Sequence, residues 1–429
     1  MATFQSVSLA TLRLGQVLSN PIYDPQRPST KLLGAGIQVT EELVAKLRAR
    51  GVRNIIIDER DLARTSSSPP EDVADRGVEE QGSLRLSPTA ARQGLMQQAR
   101  ARKNGFVVET SREPTRNRMV TRTGSYRPVL MHRASSHLEE TVAFGAEMVT
   151  SLLQSRGGDF EGLHTRCQQS IAIACEDISL YASLGINPFS SDYPSRHGSQ
   201  VATIATAIGI IYGLDDQALV DLAIGCQLHD AGMLLVPKQL YELKRKLDER
   251  EFKAVTAHPD HTLRLLDGME VSLQARLVVA QIHERCNGEG YPSGYKADEI
   301  HELAKIAAVA DTFVALVSER PYRTAMQPYF AMLKILDGVK QGFFAPAVVR
   351  SLLQAVSLFP LGSYVALDGS FVGRVIRSNP ERYDRPTIEM WNADATDRDP
   401  SVVDLAEESG LAILKPLASL PNADVSMLS

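Results

Sequence analysis

The stretch "CQLHDAGMLLVP", Cys226–Pro237, places a histidine and an aspartate side by side in a run that is otherwise almost wholly apolar. Desolvating an unpaired carboxylate costs several kcal/mol. Either the pair is a structural hydrogen bond or something positive sits beside it. The run continues a helical period: Leu219, Leu222, Ala223, Cys226, His229 and Asp230 fall on one face.

The same pattern recurs on either side. His197, Val201, Ile204, Ile208 and Ile211 share a helical face, as do Leu303, Ile306, Ala307, Ala310, Asp311 and Val314. Residues from about 136 to 356 read as helical almost throughout. The chain has nine histidines, and His197, His229, His258 and His283 stand where a site could form, joined by Asp230 and Asp311. The steps 197, 229, 258, 283, 311 are each roughly one helix plus a connection, so successive helices of a bundle could each point one ligand inward. A lone histidine on an apolar face is ordinarily a hydrogen-bonded core residue. Four at this spacing with two interior acids are better compensated by divalent metal. Imidazoles with carboxylates suit iron, manganese or zinc rather than magnesium or calcium.

Two further stretches carry chemistry. In "IHERCNGEGYPSGY", Ile282–Tyr295, a helix bearing His283 runs into a glycine-rich turn. Gly290 allows close backbone approach, and Tyr291 offers a flat face and a hydroxyl. The bland reading is a helix cap with a loop. "DTFVALVSERPYR" places Arg320 and Arg323 just after the Asp311 helix. Taken alone they are surface arginines; beside a metal cluster they are phosphate clamps.

The bulk numbers set the frame. The chain has 429 residues, 44% hydrophobic and 23% charged, with net charge -5. That balance gives no general reason to expect nucleic acid as a partner. Four cysteines without a C-x-x-C pair suit a reducing cytoplasm. The N-terminus lacks the pattern of a signal peptide, and the longest uncharged apolar run, Val201–Gly213, is too short to span a bilayer, so no membrane insertion is expected. Residues 1–62 read as a small α/β unit, with a helix from Thr40 to Gly51 and a strand in "VRNIIID". Residues 63–135 read as a polar and then basic linker; Arg92 to Arg133 holds ten Lys/Arg against two acids and reads as a solvated tether. Residues 136–356 are the helical domain. Residues 357–415 are a small β unit with an Asp-Gly turn at 368–369 and a third strand in "PTIEMW", and 416–429 are a loose tail. The fold class is mainly α.

Residues from about 185 to 355 resemble the HD-GYP domain, a subgroup of the HD phosphohydrolases. The matching pieces are His197, "HDAG" at 229–232, "AHP" at 257–259, "HER" at 283–285, "NGEGYP" at 287–292, "AAVADTFVAL" at 307–316 and "RPYR" at 320–323. The resemblance implies a helical domain with two or three metals, often iron, that hydrolyses the bacterial messenger cyclic di-GMP to the linear dinucleotide or to GMP. His197, His229, Asp230, His258, His283 and Asp311 fall on its metal positions, with His229 and Asp230 at the catalytic centre. Gly290, Tyr291, Arg320 and Arg323 fall on positions associated with the nucleotide. This sequence also departs from the family's pattern. Met233 stands where the family usually has the lysine of HD-x-G-K, and Ile282 where it has a second histidine. Tyr193 replaces the glutamate of three-metal members, and Asn287 an aspartate. These departures argue against a three-metal site and leave a set for two divalent metals, iron or manganese, bridged by Asp230. The competing expectation is a weak or inactive module that binds a cyclic dinucleotide, or other signalling proteins, without turnover.

Overall fold

The computed structural model of the chain describes residues 4–9, 12, 22–24, 27–33, 39–40, 43–44, 47, 52 and 54–58, and then residues 88–418 apart from 103, 109–112, 121–126, 187–192, 242, 244, 320–322 and 393–399. The chain divides into two compact units, Met1–Ser83 and Leu84–Ser429.

In the first unit, strands β1 (Phe4–Ser8), β2 (Ile22–Asp24), β3 (Arg27–Leu33) and β4 (Asn54–Asp58) form an antiparallel sheet in the order β1-β4-β2-β3. Leu43, Val44 and Leu47 are helical, and Thr40 accepts the Leu43 N–H through its hydroxyl, as the sequence predicts for an N-cap. Ile22, Ile55, Ile57 and Val39 close a small core of their own.

The second unit is mainly helical. It contains α1 (Pro88–Ala101), α2 (Pro128–Leu153), α3 (Phe160–Glu176), α4 (Ile178–Leu184), α5 (Ser195–Tyr212), α6 (Asp216–Leu228), α7 (Lys238–Tyr241), α8 (Glu249–Val255), α9 (His258–Leu265), α10 (Leu273–Gln281), α11 (Glu302–Val317), α12 (Pro328–Lys340) and α13 (Pro346–Val356). Helix α5 lies at the centre, packed by α6, α11, α13 and α2, while α10 backs α6. Its hydrophobic period explains that place: Val201, Ile204, Ala205, Ile208 and Ile210 are all fully buried. By length and mean hydropathy, 1.3, Asp216–Leu235 could cross a membrane, but 89% of that stretch is buried inside the unit.

Strands β5 (Tyr364–Leu367), β6 (Phe371–Arg377), β7 (Thr387–Asn392), β8 (Ser401–Asp404) and β9 (Ile413–Leu417) form an antiparallel sheet in the order β8-β7-β6-β5-β9. Gly369, at φ 74°, makes the turn between β5 and β6 expected from the Asp-Gly pair. Arg377 donates to both carboxylate oxygens of Asp177 at 2.8 Å, and Asp177 also caps α4, which fastens this sheet to the helices. Of the loose tail expected over 416–429, Pro416 and Leu417 instead belong to β9, which pairs with β5; residues 419–429 lie outside the described residues.

The linker expected over 63–135 is corrected for the described residues from 88 on; residues 63–87 lie outside the described residues. Residues 88–101 form α1, whose Leu95, Met96 and Ala99 join the main core, and α2 begins at Pro128. The basic run is no solvated tether. Arg92 pairs with Asp260 at 2.8 Å and Arg100 with Glu299 at 2.9 Å; Arg118 pairs with Asp216 and Arg133 with Glu176. These charges are neutralised by acids far away in sequence, which local composition does not reveal.

Candidate metal centre

The six sequence-selected side chains converge. His197 comes from the first turn of α5 and Asp311 from the middle of α11, but the other four come from helix ends. His229 follows the last residue of α6, Asp230 opens a short 3-10 turn (Ala231–Leu235), His258 begins α9, and His283 lies beyond α10. The helix expected to carry His283 therefore stops before it. Two bonds fix the junction of the first pair with α9. Thr262 donates its hydroxyl to the His229 carbonyl at 2.9 Å and accepts the Gly232 N–H at 2.8 Å. A Cβ on Gly232 would lie 2.2 Å from the His258 carbonyl oxygen, so only glycine lets α9 bring His258 this close.

All six are buried, from 0% exposure at His229 to 8% at His283. Asp230 is the hub: its Oδ1 lies 3.1 Å from His258 Nε2, 3.4 Å from His229 Nε2 and 3.8 Å from His283 Nε2, and its Oδ2 lies 3.9 Å from His197 Nε2. Asp311 spans the other side, 3.1 Å from His197 Nε2 and 3.4 Å from His283 Nδ1. The Tyr193 hydroxyl donates to Asp230 Oδ2 at 2.8 Å. Burial alone raises both carboxyls, but the imidazoles overrule it. His229, His258 and His283 hold Asp230 well below the ordinary carboxylate range, and His197 and His283 do the same for Asp311. Burial likewise lowers His283, yet the pull of Asp230 and Asp311 carries it to about 9. At His258 burial wins and the ring is lowered.

The imidazole hydrogen bonds test whether this cluster fits a metal. His229 Nδ1 lies 2.7 Å from the Cys226 carbonyl, and His258 Nδ1 lies 2.8 Å from the Val255 carbonyl. A carbonyl only accepts, so each Nδ1 carries a hydrogen, and a neutral ring then turns an Nε2 lone pair toward the Asp230 carboxylate. His229 Nε2 is fully buried and has no hydrogen-bond partner among the described residues. Lone pairs facing a carboxylate in a dry site call for a cation, which ring protons supply when no metal is bound and a divalent ion would supply when it is, and backbone bonds at Nδ1 are the usual orientation of metal-ligating histidine. The donors fall into two groups, His197 with His229 and Asp230, and Asp230 with His258 and His283, the ligand atoms of each lying within 4.8 Å of one another. The shared member is Asp230.

The glycine-rich loop closes one side. The Tyr291 ring stacks on His283, centroids 4.8 Å apart at 18°, and meets the exposed Phe252 edge-on at 6.1 Å. Gly290 serves the loop's own packing, since a Cβ there would sit 2.3 Å from the Arg285 nitrogen. The residue that clamps the loop is Glu284, which the sequence reading passed over. Only 1% exposed, it accepts the N–H groups of Ser293, Gly294 and Tyr295 at 2.8, 3.0 and 3.1 Å. An acid directly beside His283 and ahead of the glycines was the available signal. Met233 and Ile282 are both buried, so the cation and the extra imidazole of the family pattern are replaced by apolar side chains. Arg323 engages the end of the Asp311 helix. It donates to the carbonyls of Ala315 at 2.6 Å and Leu316 at 2.9 Å, capping the C-terminal end of α11, where unpaired carbonyls attract a guanidinium. Arg320 lies outside the described residues.

The HD domain family matches residues 187–348. The motifs that resemble the HD-GYP subgroup, from His197 to Arg323, all lie inside this matched stretch. It is 30% identical over 203 residues to a cyclic di-GMP phosphodiesterase of Pseudomonas aeruginosa, covering 47% of this chain and 49% of that one. It is 33% identical over 170 residues to a 3'3'-cGAMP-specific phosphodiesterase of Vibrio cholerae, covering 40% and 37%. It is 32% identical over 158 residues to a cyclic di-GMP phosphodiesterase response regulator of Xanthomonas campestris, covering 36% and 41%. The chain thus spans about half or less of the length of the curated relatives it matches. HD domains bind divalent metal, and the two histidine–aspartate groups are the candidate ligands here.

A pH dependence follows from His283. Its Nε2 must lose a proton before it can bind a metal, and the metal-free ring holds that proton up to about pH 9. Affinity for Mn2+ is therefore expected to rise by about tenfold per pH unit below that value and to level off above it. Calorimetric titration from pH 6 upward checks this; a flat profile would remove His283 from the ligand set.

Proposed function

We propose that this chain is a metal-dependent phosphodiesterase that hydrolyses cyclic di-GMP, to the linear dinucleotide or to GMP, in the cytoplasm of a bacterium. Two divalent ions, iron or manganese, would be held by His197, His229 and Asp230 on one side and by Asp230, His258 and His283 on the other, with Asp311 lying between His197 and His283. The single observation that carries this reading is Asp230, one buried carboxylate shared by two groups of imidazoles. When bound, such a pair of ions polarises phosphoryl oxygens and lowers the pKa of water toward neutrality.

The chain's own residues supply positioning. The backbone carbonyls of Cys226 and Val255 fix the orientation of His229 and His258. The Tyr193 phenol steadies one oxygen of Asp230. Tyr291 covers His283 and limits water around it, and its ring with Phe252 offers flat apolar faces at which a nucleobase could rest. The choice of a cyclic dinucleotide is supported by the names of the relatives, which divide between cyclic di-GMP and 3'3'-cGAMP.

One observation favours a second reading, a nucleotide receptor or protein-interaction module. Met233 is buried and apolar where the family pattern has a lysine that could stabilise developing charge. Losing one such group can cost on the order of 10²–10³ in rate. The deciding experiment loads the purified chain with Mn2+ or Fe2+ and supplies cyclic di-GMP or 3'3'-cGAMP, with His229→Ala as control. Linear dinucleotide or mononucleotide from the wild type alone is the expected result. Full metal content with tight nucleotide binding and no product above the control would establish the receptor reading. A chain that takes up no metal, and gains no stability from any, removes both.

A further inference from the structure

We propose that Arg92, which lies on α1 outside the matched HD domain, is a positioning residue for the half of the metal centre built by His258 and His283. This rests on the metal-site reading above. Helix α1 packs against α9 and α10, the helix that begins with His258 and the one that leads into His283. Its Met96 is buried, and the sulfur receives the Gln281 side-chain N–H at 3.5 Å, at the last residue of α10. Arg92 Nη1 donates to Asp260 Oδ1 at 2.8 Å, with side-chain exposures of 12% and 10%. Asp260 is two residues beyond His258. The same guanidinium also acts on Glu284, the neighbour of His283 that clamps the glycine-rich loop.

One partly buried cation thus ties α1 to the first turn of α9, which opens with His258, and His258 Nε2 lies 2.9 Å from His283 Nε2. Without it, the nearly buried Asp260 loses its hydrogen-bonded cation, and the first turn of α9, which carries His258, loses its tie to α1. Metal ligands must be held to within about half an ångström of their productive geometry, so a support of this kind is read out as affinity. The position was hidden in the sequence because Arg92 and Asp260 are 168 residues apart.

The test is a calorimetric Mn2+ titration of the metal-stripped full chain, comparing wild type with Arg92→Met, Asp260→Asn and the swapped pair Arg92→Glu with Asp260→Arg. Removing an outer partner of a metal ligand typically costs about 10–100-fold in affinity. Arg92→Met and Asp260→Asn are each expected to weaken one of two binding events by that factor, to leave the other within error, and to keep the far-ultraviolet circular dichroism of the wild type. The swapped pair is expected to recover most of the loss. Wild-type affinity in both single variants overturns the proposal, as does an equal loss at both events with a fall in melting temperature, which is what a merely structural ion pair gives. If Arg92→Met does not fold, Asp260→Asn with the swap decides alone. A wild-type chain that binds no Mn2+ sinks the metal reading itself, whereas two-site binding that ignores Arg92 sinks this inference only.

Discussion

On the proposed two-metal reading, Asp230→Asn is expected to leave the chain with at most one metal ion in place of two and to reduce phosphodiester hydrolysis by on the order of 10³-fold or more, since one preorganised electrostatic group alone is worth about 10²–10³ and both ions would lose a ligand. Asparagine keeps the shape of aspartate but carries no charge and only one acceptor oxygen. The substituted position is the one carboxylate common to both ligand groups, with oxygens between 3.1 and 3.9 Å from the Nε2 atoms of His197, His229, His258 and His283. Elemental analysis of the purified variant reads the first part, and turnover of cyclic di-GMP the second. Stability supplies an independent check. Metal present at 100 times its dissociation constant stabilises the native wild type by about 2.7 kcal/mol, so chelator should lower the wild-type melting temperature and have little effect on the variant. The metal-free variant need not be less stable than the metal-free wild type, because the carboxylate there faces imidazole lone pairs as well as protonated nitrogens. Full metal occupancy in Asp230→Asn would dismiss the bridging role.

The convergence of the six candidate ligands was legible because each stands out against its surroundings. Asp230 interrupts an apolar run, Asp311 sits on an alanine-rich helical face, and the histidine spacing matches one helix plus one connection. Their exact placement at helix ends was not legible. It depends on Thr262 bonding to His229 and on Gly232 admitting the His258 carbonyl, and both are contacts across about 30 residues of sequence. The capping role of Arg323 was not legible for a local reason: a motif beside a metal cluster suggests a phosphate clamp, and the free carbonyls at the end of α11 leave no mark in the sequence. Helix α1 was missed because the Lys/Arg excess was read by charge alone. Its own sequence, "PTAARQGLMQQARA", already held a proline at the helix start and Leu95, Met96 and Ala99 on one face. The strands of the small β unit were easier, since an Asp-Gly turn between apolar arms is a short-range signal that tertiary packing rarely overrides.

Glu284→Ala is expected to destabilise the chain by about 2–5 kcal/mol and to release the loop that carries Tyr291. Three backbone N–H groups, from Ser293, Gly294 and Tyr295, end on this carboxylate, and each buried donor left without a partner costs about 1–3 kcal/mol. The total falls below the simple sum because Ser293 is exposed and water can reach its amide. Glu284→Gln should be intermediate rather than silent. Oε1 accepts one of the three bonds and Oε2 the other two, so a glutamine amide, in either orientation, turns its NH2 group against at least one N–H. Hydrogen exchange at residues 293–295 separates these cases: slow in the wild type, faster in Glu284→Gln and fastest in Glu284→Ala, in step with urea midpoints. The functional consequence follows from the stack of Tyr291 on His283. Once the loop is free, the ring no longer covers that imidazole, water enters beside it, and the Michaelis constant for a cyclic dinucleotide should rise more than the turnover number falls. Unchanged exchange at all three amides in Glu284→Ala would mean that the loop is held by its own turns, with the carboxylate only filling space beneath it.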